Sequence, residues 1–121
     1  MNKLTDAIDT YLRTKHARVY RNKAPQNPTY PYVVFVAENA TDTEPSLDVL
    51  LNIYVFDLVG TSIRAIDTLA DSIDAGLRNT IISNSDINAH FTRDSRSFDR
   101  DDSESGVQVV SLQYTVRTYF K

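Results

Sequence analysis

Hydrophobic residues recur at helical spacing in two segments of the chain. Near the start they are three and four residues apart, with bases late in the segment where the helix dipole favours them, which predicts a helix over residues 3–14. A stronger pattern follows Gly60, with Ser62 as an N-cap candidate, and predicts a helix from Ile63 to Leu77. Its apolar positions are Ile63, Ile66, Leu69, Ala70, Ile73 and Leu77. We expect the acids on its other side, Asp67, Asp71 and Asp74, to form a solvated helix face.

Runs of β-branched and aromatic residues, or strict alternation of apolar and polar residues, predict five strands. These runs cover residues 16–21, 32–37, 48–56, 87–93 and 110–120. In the last run the even-numbered residues from Val110 to Phe120 are mostly apolar, and the odd-numbered ones from Ser111 to Arg117 are polar. The order α-β-β-β-α-β-β indicates an α+β fold, with an antiparallel or mixed β-sheet of about five strands and two α-helices packed mainly on one face.

The segments between the predicted strands are polar or rich in proline. Residues 22–31 contain three prolines and are interpreted as a connector, whereas residues 38–46 and 95–106 are interpreted as long loops. Residues 49–56 are apolar on both sides of the pleat. We therefore expect that strand to be covered on both faces, or covered on one face and used in an interface on the other.

Composition limits the classes of function. The chain has 121 residues, 41% hydrophobic and 24% charged, which is typical of one globular domain spanning residues 1–121. It has no cysteine, no apolar run of membrane-spanning length, and an amphipathic N-terminus unlike a signal peptide, so we expect a cytoplasmic protein. A formal net charge of −3 disfavours sequence-specific binding of nucleic acid.

The charge is unevenly distributed along the chain. Residues 1–23 carry six bases and two acids, and no base occurs between Lys23 and Arg64. Such segregation favours head-to-tail docking of identical subunits, although ordinary surface charge would look the same.

The sequence contains no motif typical of catalysis or cofactor binding. His16 and His90 lie in different predicted elements, and the three glycines are too far apart for a phosphate-binding loop. The acidic run over residues 99–104 has Glu104 where a calcium-binding EF-hand needs glycine, so a solvated loop is favoured over a loose cation site. We expect neither enzymatic activity nor a cofactor nor a bound metal.

The order of segments resembles the siphophage tail-completion proteins, a family that includes tail-terminator-like ring subunits. The likeness covers nearly the whole chain, and its most specific element is Tyr-Pro-Tyr-Val-Val over residues 30–34. It also includes the short Val19-Tyr20 strand, the Leu51-Asn52-Ile53-Tyr54-Val55-Phe56 strand, the Gly-Thr-Ser before the second helix, and the closing strand.

The resemblance implies a structural subunit of a phage or prophage tail, with no catalytic residues. Such proteins form rings, commonly of six subunits, that complete the tail and join it to the head around a DNA channel. The implied partners are other copies of the chain, the tail-tube protein and head-connector proteins, with assembly in the bacterial cytoplasm and a final location in the virion.

A ring would make the connector and the two loops into interaction elements. The candidate contact residues are Tyr30, Tyr32, Asp42, Glu44, Arg100, Asp101, Asp102 and Glu104. Acidic loops lining a channel would let DNA slide, because they neutralise few phosphates. The alternative is a small ligand-binding or regulatory α+β module with an acidic rim. A hydrolase would require His16 or His90 to meet a carboxylate in a cleft.

Overall fold

The chain forms two helices and six strands in a computed structural model that describes residues 2–23, 26, 30–43, 46–58, 63–78, 80–85, 87–100 and 107–120. The elements are α1 (Asn2–Arg13), β1 (Val19–Arg21), β2 (Tyr32–Thr43), β3 (Ser46–Leu58), α2 (Ile63–Leu77), β4 (Thr80–Ser83), β5 (Ile87–Arg100) and β6 (Val107–Phe120). The predicted α+β class is confirmed, and the sheet has one strand more than expected.

All six strands belong to one mixed sheet. Their order is β1-β2-β3-β6-β5-β4, with β1 parallel to β2 and every other neighbouring pair antiparallel. The long central strands β3 and β6 pair over their whole lengths, from Ser46 opposite Tyr119 to Leu58 opposite Val107. Since β2 and β5 flank this central pair, the sheet consists of two long hairpins joined side by side, with a short strand at each edge.

The strand that the sequence analysis missed is β4. Its only apolar residues are Ile81 and Ile82, too few to give a period directly after a strongly periodic helix. Ile82 packs against the core, and the strand pairs with the start of β5, from Thr80 opposite Phe91 to Ser83 opposite Asn88. Pairing with β5, rather than local composition, therefore defines this strand.

Both long loops expected from the polar composition are largely strand. β2 continues to Thr43 and β3 begins at Ser46, so the expected loop over residues 38–46 was wrong. β5 likewise extends to Arg100, where a loop from residue 95 was expected. The polar segments are extended because β3 provides a continuous partner for β2, and β6 provides one for β5. A strand paired in this way tolerates polar residues wherever its side chains meet solvent.

Both helices pack on the same face of the sheet, as expected. The fully buried residues of α1 are Leu4, Ile8 and Leu12, and those of α2 are Ile66, Ala70, Ile73 and Leu77. They meet a layer of alternate strand residues that includes Phe35, Leu51, Ile53, Val55, Phe91, Leu112, Tyr114 and Val116. Burial of one such large apolar side chain contributes roughly 1.5–3 kcal/mol, so this single layer provides the main stabilisation of the fold.

The acidic side of α2 is solvated only in part, which corrects the sequence analysis for Asp74. Asp74 is only 5% exposed, and its carboxylate accepts hydrogen bonds from the Tyr114 hydroxyl at 2.6 Å and from Arg93 at 3.0 Å. Asp67 and Asp71 are more exposed and both pair with Arg96 of β5. The acids therefore align α2 along β5, a role that helical spacing alone does not reveal.

Candidate functional site

The face of the sheet opposite the helices has no covering layer among the described residues, and we call it the open face. At the end near β1 it carries the aromatic cluster, which we define as Tyr20, Tyr30, Tyr32, Tyr54 and Phe56. The rings of Tyr32 and Phe56 are stacked with centroids 4.9 Å apart, and the ring of Tyr30 lies 5.1 Å from that of Tyr32. These rings form one continuous aromatic surface.

The aromatic cluster borders a shallow apolar groove of about 260 Å³. Val34 and Val36 form its floor, and Lys23 and Asn22 stand at its rim. Tyr32 is 8% and Val34 6% exposed, although no helix covers them, because the surrounding rings shield them. Burial raises the pKa of Tyr32, and the neighbouring Tyr30 raises it further. The groove therefore has an apolar floor and a polar rim.

Tyr30 is held in position by the end of the connector. The carbonyl oxygen of Pro31 accepts a hydrogen bond from Arg18 Nε at 3.0 Å and lies 2.8 Å from His16 Nε2. The amide of Val33 donates to the carbonyl oxygen of Arg18 at 2.9 Å, and the Tyr30–Pro31 peptide bond is cis. His16 thus has a structural role in fixing the connector.

The other end of the open face is polar and contains a second groove, of about 440 Å³. Asp48, Arg117 and His90 lie side by side across β3, β6 and β5. Arg117 donates from Nε to one carboxylate oxygen of Asp48 at 3.1 Å and from Nη2 to the other at 3.4 Å. This pairing raises the pKa of Arg117. His90 makes an edge contact with the ring of Tyr119 at 5.9 Å.

The polar groove brings His90 and a carboxylate to the same surface, as a hydrolase would require. Both oxygens of Asp48 are engaged by Arg117, and in the described part of the chain no hydrogen bond joins His90 to a carboxylate. Nor do the described residues contain a group of three or more His, Asp or Glu side chains that could hold a metal ion. The groove has the chemistry of a polar contact surface.

Bases gather where the aromatic cluster meets β1. Arg21 and Lys23 are exposed there and line a third groove, of about 350 Å³, between α1 and β1. Within that groove Arg13 pairs with Asp9 at 3.0 Å and donates to the carbonyl oxygen of Val19 at 2.9 Å. The basic N-terminal segment therefore lies along the edge of the sheet formed by β1.

The candidate contact residues fall into three groups. Tyr30 and Tyr32 both belong to the aromatic cluster. The backbone of Asp42 lies in β2 and that of Arg100 in β5, rather than in loops. The remaining candidates, Glu44, Asp101, Asp102 and Glu104, lie outside the described residues.

Sequence reasoning did not name Tyr20, Tyr54 or Phe56 as site residues. The signal was present for Tyr54 and Phe56, since the strand over residues 49–56 is apolar on both sides of its pleat. Tyr20 joins them only because β1 pairs in parallel with β2, which brings Tyr20 opposite Val34. Such a pairing between distant segments has no local signature.

Comparison with known proteins identifies the fold. No protein-family model matches the chain, and no curated protein matches its sequence. Among solved structures, a chain in the virion of a native gene transfer agent particle is similar, with a TM-score of 0.71, 13% identity, and coverage of 96% of this chain and 94% of that one. A second solved protein, which carries no functional name, has a TM-score of 0.65, 13% identity, and coverage of 97% and 96%. The shared fold therefore extends over almost the whole chain.

In the described part of the chain, neither helix has the length and apolar character needed to cross a membrane.

Proposed function

We propose that this protein is a structural subunit of a phage-like particle, a ring-forming component that completes the tail and joins it to the head. In this role the chain binds copies of itself, a tail-tube protein and a head-connector protein, and DNA passes through the ring without sequence-specific contacts. It performs no catalysis and needs no cofactor.

The observation that carries the proposal is the uncovered aromatic cluster. Four of its five rings, those of Tyr20, Tyr30, Tyr54 and Phe56, are only partly buried, so together they form an apolar patch that solvent still reaches. Contiguous exposed patches of several hundred Å² mark interaction sites in soluble proteins. An assembly partner that covers Tyr30, Tyr54 and Phe56 would remove this patch from water.

The structural likeness supports the same role. The similar chain belongs to the virion of a gene transfer agent, and its likeness to this chain extends across both proteins rather than over one motif. The order of segments from Val19-Tyr20 to the closing strand resembles the tail-completion family independently of that likeness. Two different lines of comparison therefore favour a virion component.

A ring requires a heterologous interface, in which one surface meets a different surface of the next copy. The chain supplies two unlike ends, since Arg21 and Lys23 lie beside β1 while the opposite edge is formed by β4 and β5. By resemblance to the tail-completion family, we propose six subunits in the closed ring. A small ligand-binding module would instead be monomeric or dimeric and would bind its ligand in the polar groove at His90 and Arg117.

Electron microscopy of the purified protein tests this function. Negatively stained particles at high protein concentration, with and without the tail-tube protein of the same particle, should include closed rings with a central channel wide enough for duplex DNA. Rings that stack on tube ends would support the tail role. Monodisperse monomers under both conditions, with a metabolite bound in the groove beside His90, would contradict it.

A further inference from the structure

The two edges of the sheet each leave one long strand segment without a strand partner in the described chain. On one edge, β1 covers β2 only at residues 33–35, which leaves residues 36–43 uncovered. On the other edge, β4 covers β5 only at residues 88–91, which leaves residues 92–100 uncovered. An uncovered strand edge presents unpaired backbone amides and carbonyls to any complementary strand.

We propose that residues 36–43 of one copy pair antiparallel with residues 92–99 of the next copy, joining the sheets of neighbouring subunits. This interface rests on the proposed ring assembly and identifies the surfaces that would form it. In a ring all subunits have the same orientation about the axis, and β2 and β5 run in opposite directions within one sheet. Neighbouring edges would therefore meet antiparallel.

The two uncovered segments are of similar length, eight residues in β2 and nine in β5. If Val36 lies opposite Asp99 and Thr43 opposite Thr92, eight residue pairs form. Each uncovered segment starts directly after the residues that its own edge strand covers: residues 36–43 follow those paired with β1, and residues 92–99 follow those paired with β4. Arg21 of β1 is in register with Phe35, directly before Val36, so β1 and the incoming β5 lie end to end along β2. Thr80 of β4 is in register with Phe91, so β4 and the incoming β2 also lie end to end along β5. Each edge therefore has room for the strand of the neighbouring copy next to its own short edge strand.

The irregularities of the two strands also match. β2 has one extra residue, Ala40, between Asn39 and Thr41 in its ladder with β3, and β5 has one extra residue, Asp94, between Arg93 and Ser95 in its ladder with β6. Because adjacent strand residues alternate between faces, one extra residue changes the phase of all residues beyond it.

In the proposed register the two extra residues lie in adjacent pairs. Ala40 lies opposite Ser95, and Thr41 lies opposite Asp94, so the strands remain in phase on both sides of the irregularity. A shift of two residues would separate the two bulges and leave the pairs between them out of phase. The bulges near the middle of the two segments thus favour this register over one shifted by two residues.

The charges favour pairing between unlike edges over pairing of β2 with itself. Residues 36–43 carry Glu38 and Asp42 and no base, whereas residues 92–100 carry three arginines and two aspartates. In the proposed register no two like charges are opposite each other, and Asp42 is opposite Arg93. Two copies of β2 would instead bring two acidic edges together, which like-charge repulsion disfavours. A heterologous edge contact is the kind that closes a ring.

Disulfide cross-linking tests this interface directly, because the chain has no cysteine of its own. Glu38 and Ser97 are exposed and opposite each other in the proposed register. Within one subunit they are three strand spacings apart, about 14 Å, which is too far for a disulfide. The double variant Glu38→Cys/Ser97→Cys, oxidised after assembly, should therefore give a ladder of covalent multimers, at least about five times the yield of the single variants.

The matched control is Glu38→Cys/Ile81→Cys, since Ile81 is 54% exposed on the neighbouring edge strand β4. Equal or greater cross-linking in this control would overturn the edge pairing. So would rings that native mass spectrometry detects in a double variant that does not cross-link through position 97. Neither result would contradict the proposed ring assembly. A protein that stays monomeric at every concentration would instead refute the proposed function.

A measurement on the unsubstituted protein covers the case in which the cysteine variants fold poorly. Amide hydrogen exchange should slow at least about tenfold over residues 36–43 and 92–99 when the protein concentration rises through the assembly range. Unchanged exchange in both segments, alongside assembled rings, would also overturn the edge pairing.

Discussion

The Tyr114 hydroxyl of β6 donates a hydrogen bond of 2.6 Å to the buried carboxylate of Asp74 in α2. The same carboxylate accepts from Arg93 of β5 at 3.0 Å, so one acidic side chain links the second helix to two adjacent strands, β6 and β5. Removing one member of such a group leaves the others buried without a partner. This contact therefore fixes α2 against the sheet, on the face opposite the aromatic cluster.

The first prediction concerns the stability of this group. Asp74→Ala should lower the free energy of unfolding by about 2–4 kcal/mol, and Tyr114→Phe by about 1–2 kcal/mol, because each leaves a buried polar group unsatisfied. Urea denaturation followed by circular dichroism measures both changes. Asp67→Ala is the matched control, since Asp67 pairs with Arg96 near solvent and should change stability by less than about 1 kcal/mol. Equal losses for Asp74→Ala and Asp67→Ala would contradict this assignment.

The second prediction concerns alkaline pH. Burial and the nearby Asp74 carboxylate raise the pKa of Tyr114 above its ordinary value of 10.0. Above that value the unfolded chain loses the phenolic proton while the folded protein keeps it, so stability should be constant below about pH 10 and fall as the pH rises further. Denaturation series between pH 8 and 11.5 measure the slope. Tyr114→Phe should reduce the slope by up to one proton, and an unchanged slope would contradict the proposed cause.

The third prediction concerns the contact between the helices. The Tyr11 hydroxyl donates to the carbonyl oxygen of Ile73 at 2.7 Å, and a Cβ atom added at Gly76 would clash with the Tyr11 ring. Gly76→Ala should therefore destabilise the protein by about 1–3 kcal/mol, despite the better helix propensity of alanine.

In a Tyr11→Ala background the same change should reverse sign and stabilise the protein by roughly 0.5–1 kcal/mol, because the clash is absent. A double-mutant cycle of unfolding free energies measures this coupling. Additive effects of the two substitutions would show that the ring of Tyr11 does not occupy the space beside Gly76.

The fourth prediction concerns the aromatic cluster. Tyr54 is only partly buried on the open face, so Tyr54→Lys should leave the folded subunit intact while placing a charge in the interaction surface. Self-association should weaken at least about tenfold, as measured by light scattering across a concentration series. Ala65→Lys, at an exposed position of α2, is the control and should assemble normally. Weakening of the same size in both variants would argue against a specific role for the aromatic cluster.

The sequence predicted those elements in which the spacing of apolar residues matches the face that is buried. Helix α2 begins and ends at the expected residues, and β6 shows the expected alternation because one of its faces meets the helices. The bounds of β2 and β5 could not be predicted, since their polar halves are extended only through pairing with β3 and β6. The short strand β4 depends in the same way on its partner.

The candidate site was predictable only in part, for the same reason. Tyr30 and Tyr32 were identified because they flank a proline in a short apolar segment. Tyr20 reaches them from another part of the chain through the parallel β1–β2 pair, which no local pattern reports. Asp74 was misassigned because helical spacing places it on the polar side of α2, where two strand residues happen to reach it.

The central claim is that copies of this chain associate into a closed ring. Native mass spectrometry across a concentration series, from nanomolar to hundreds of micromolar, tests it most directly. We expect one closed oligomer of fixed stoichiometry, six by resemblance to the tail-completion family, to replace the monomer without an open series of intermediates. A folded monomer that persists over the whole range, alone and with the tail-tube protein, would contradict the claim.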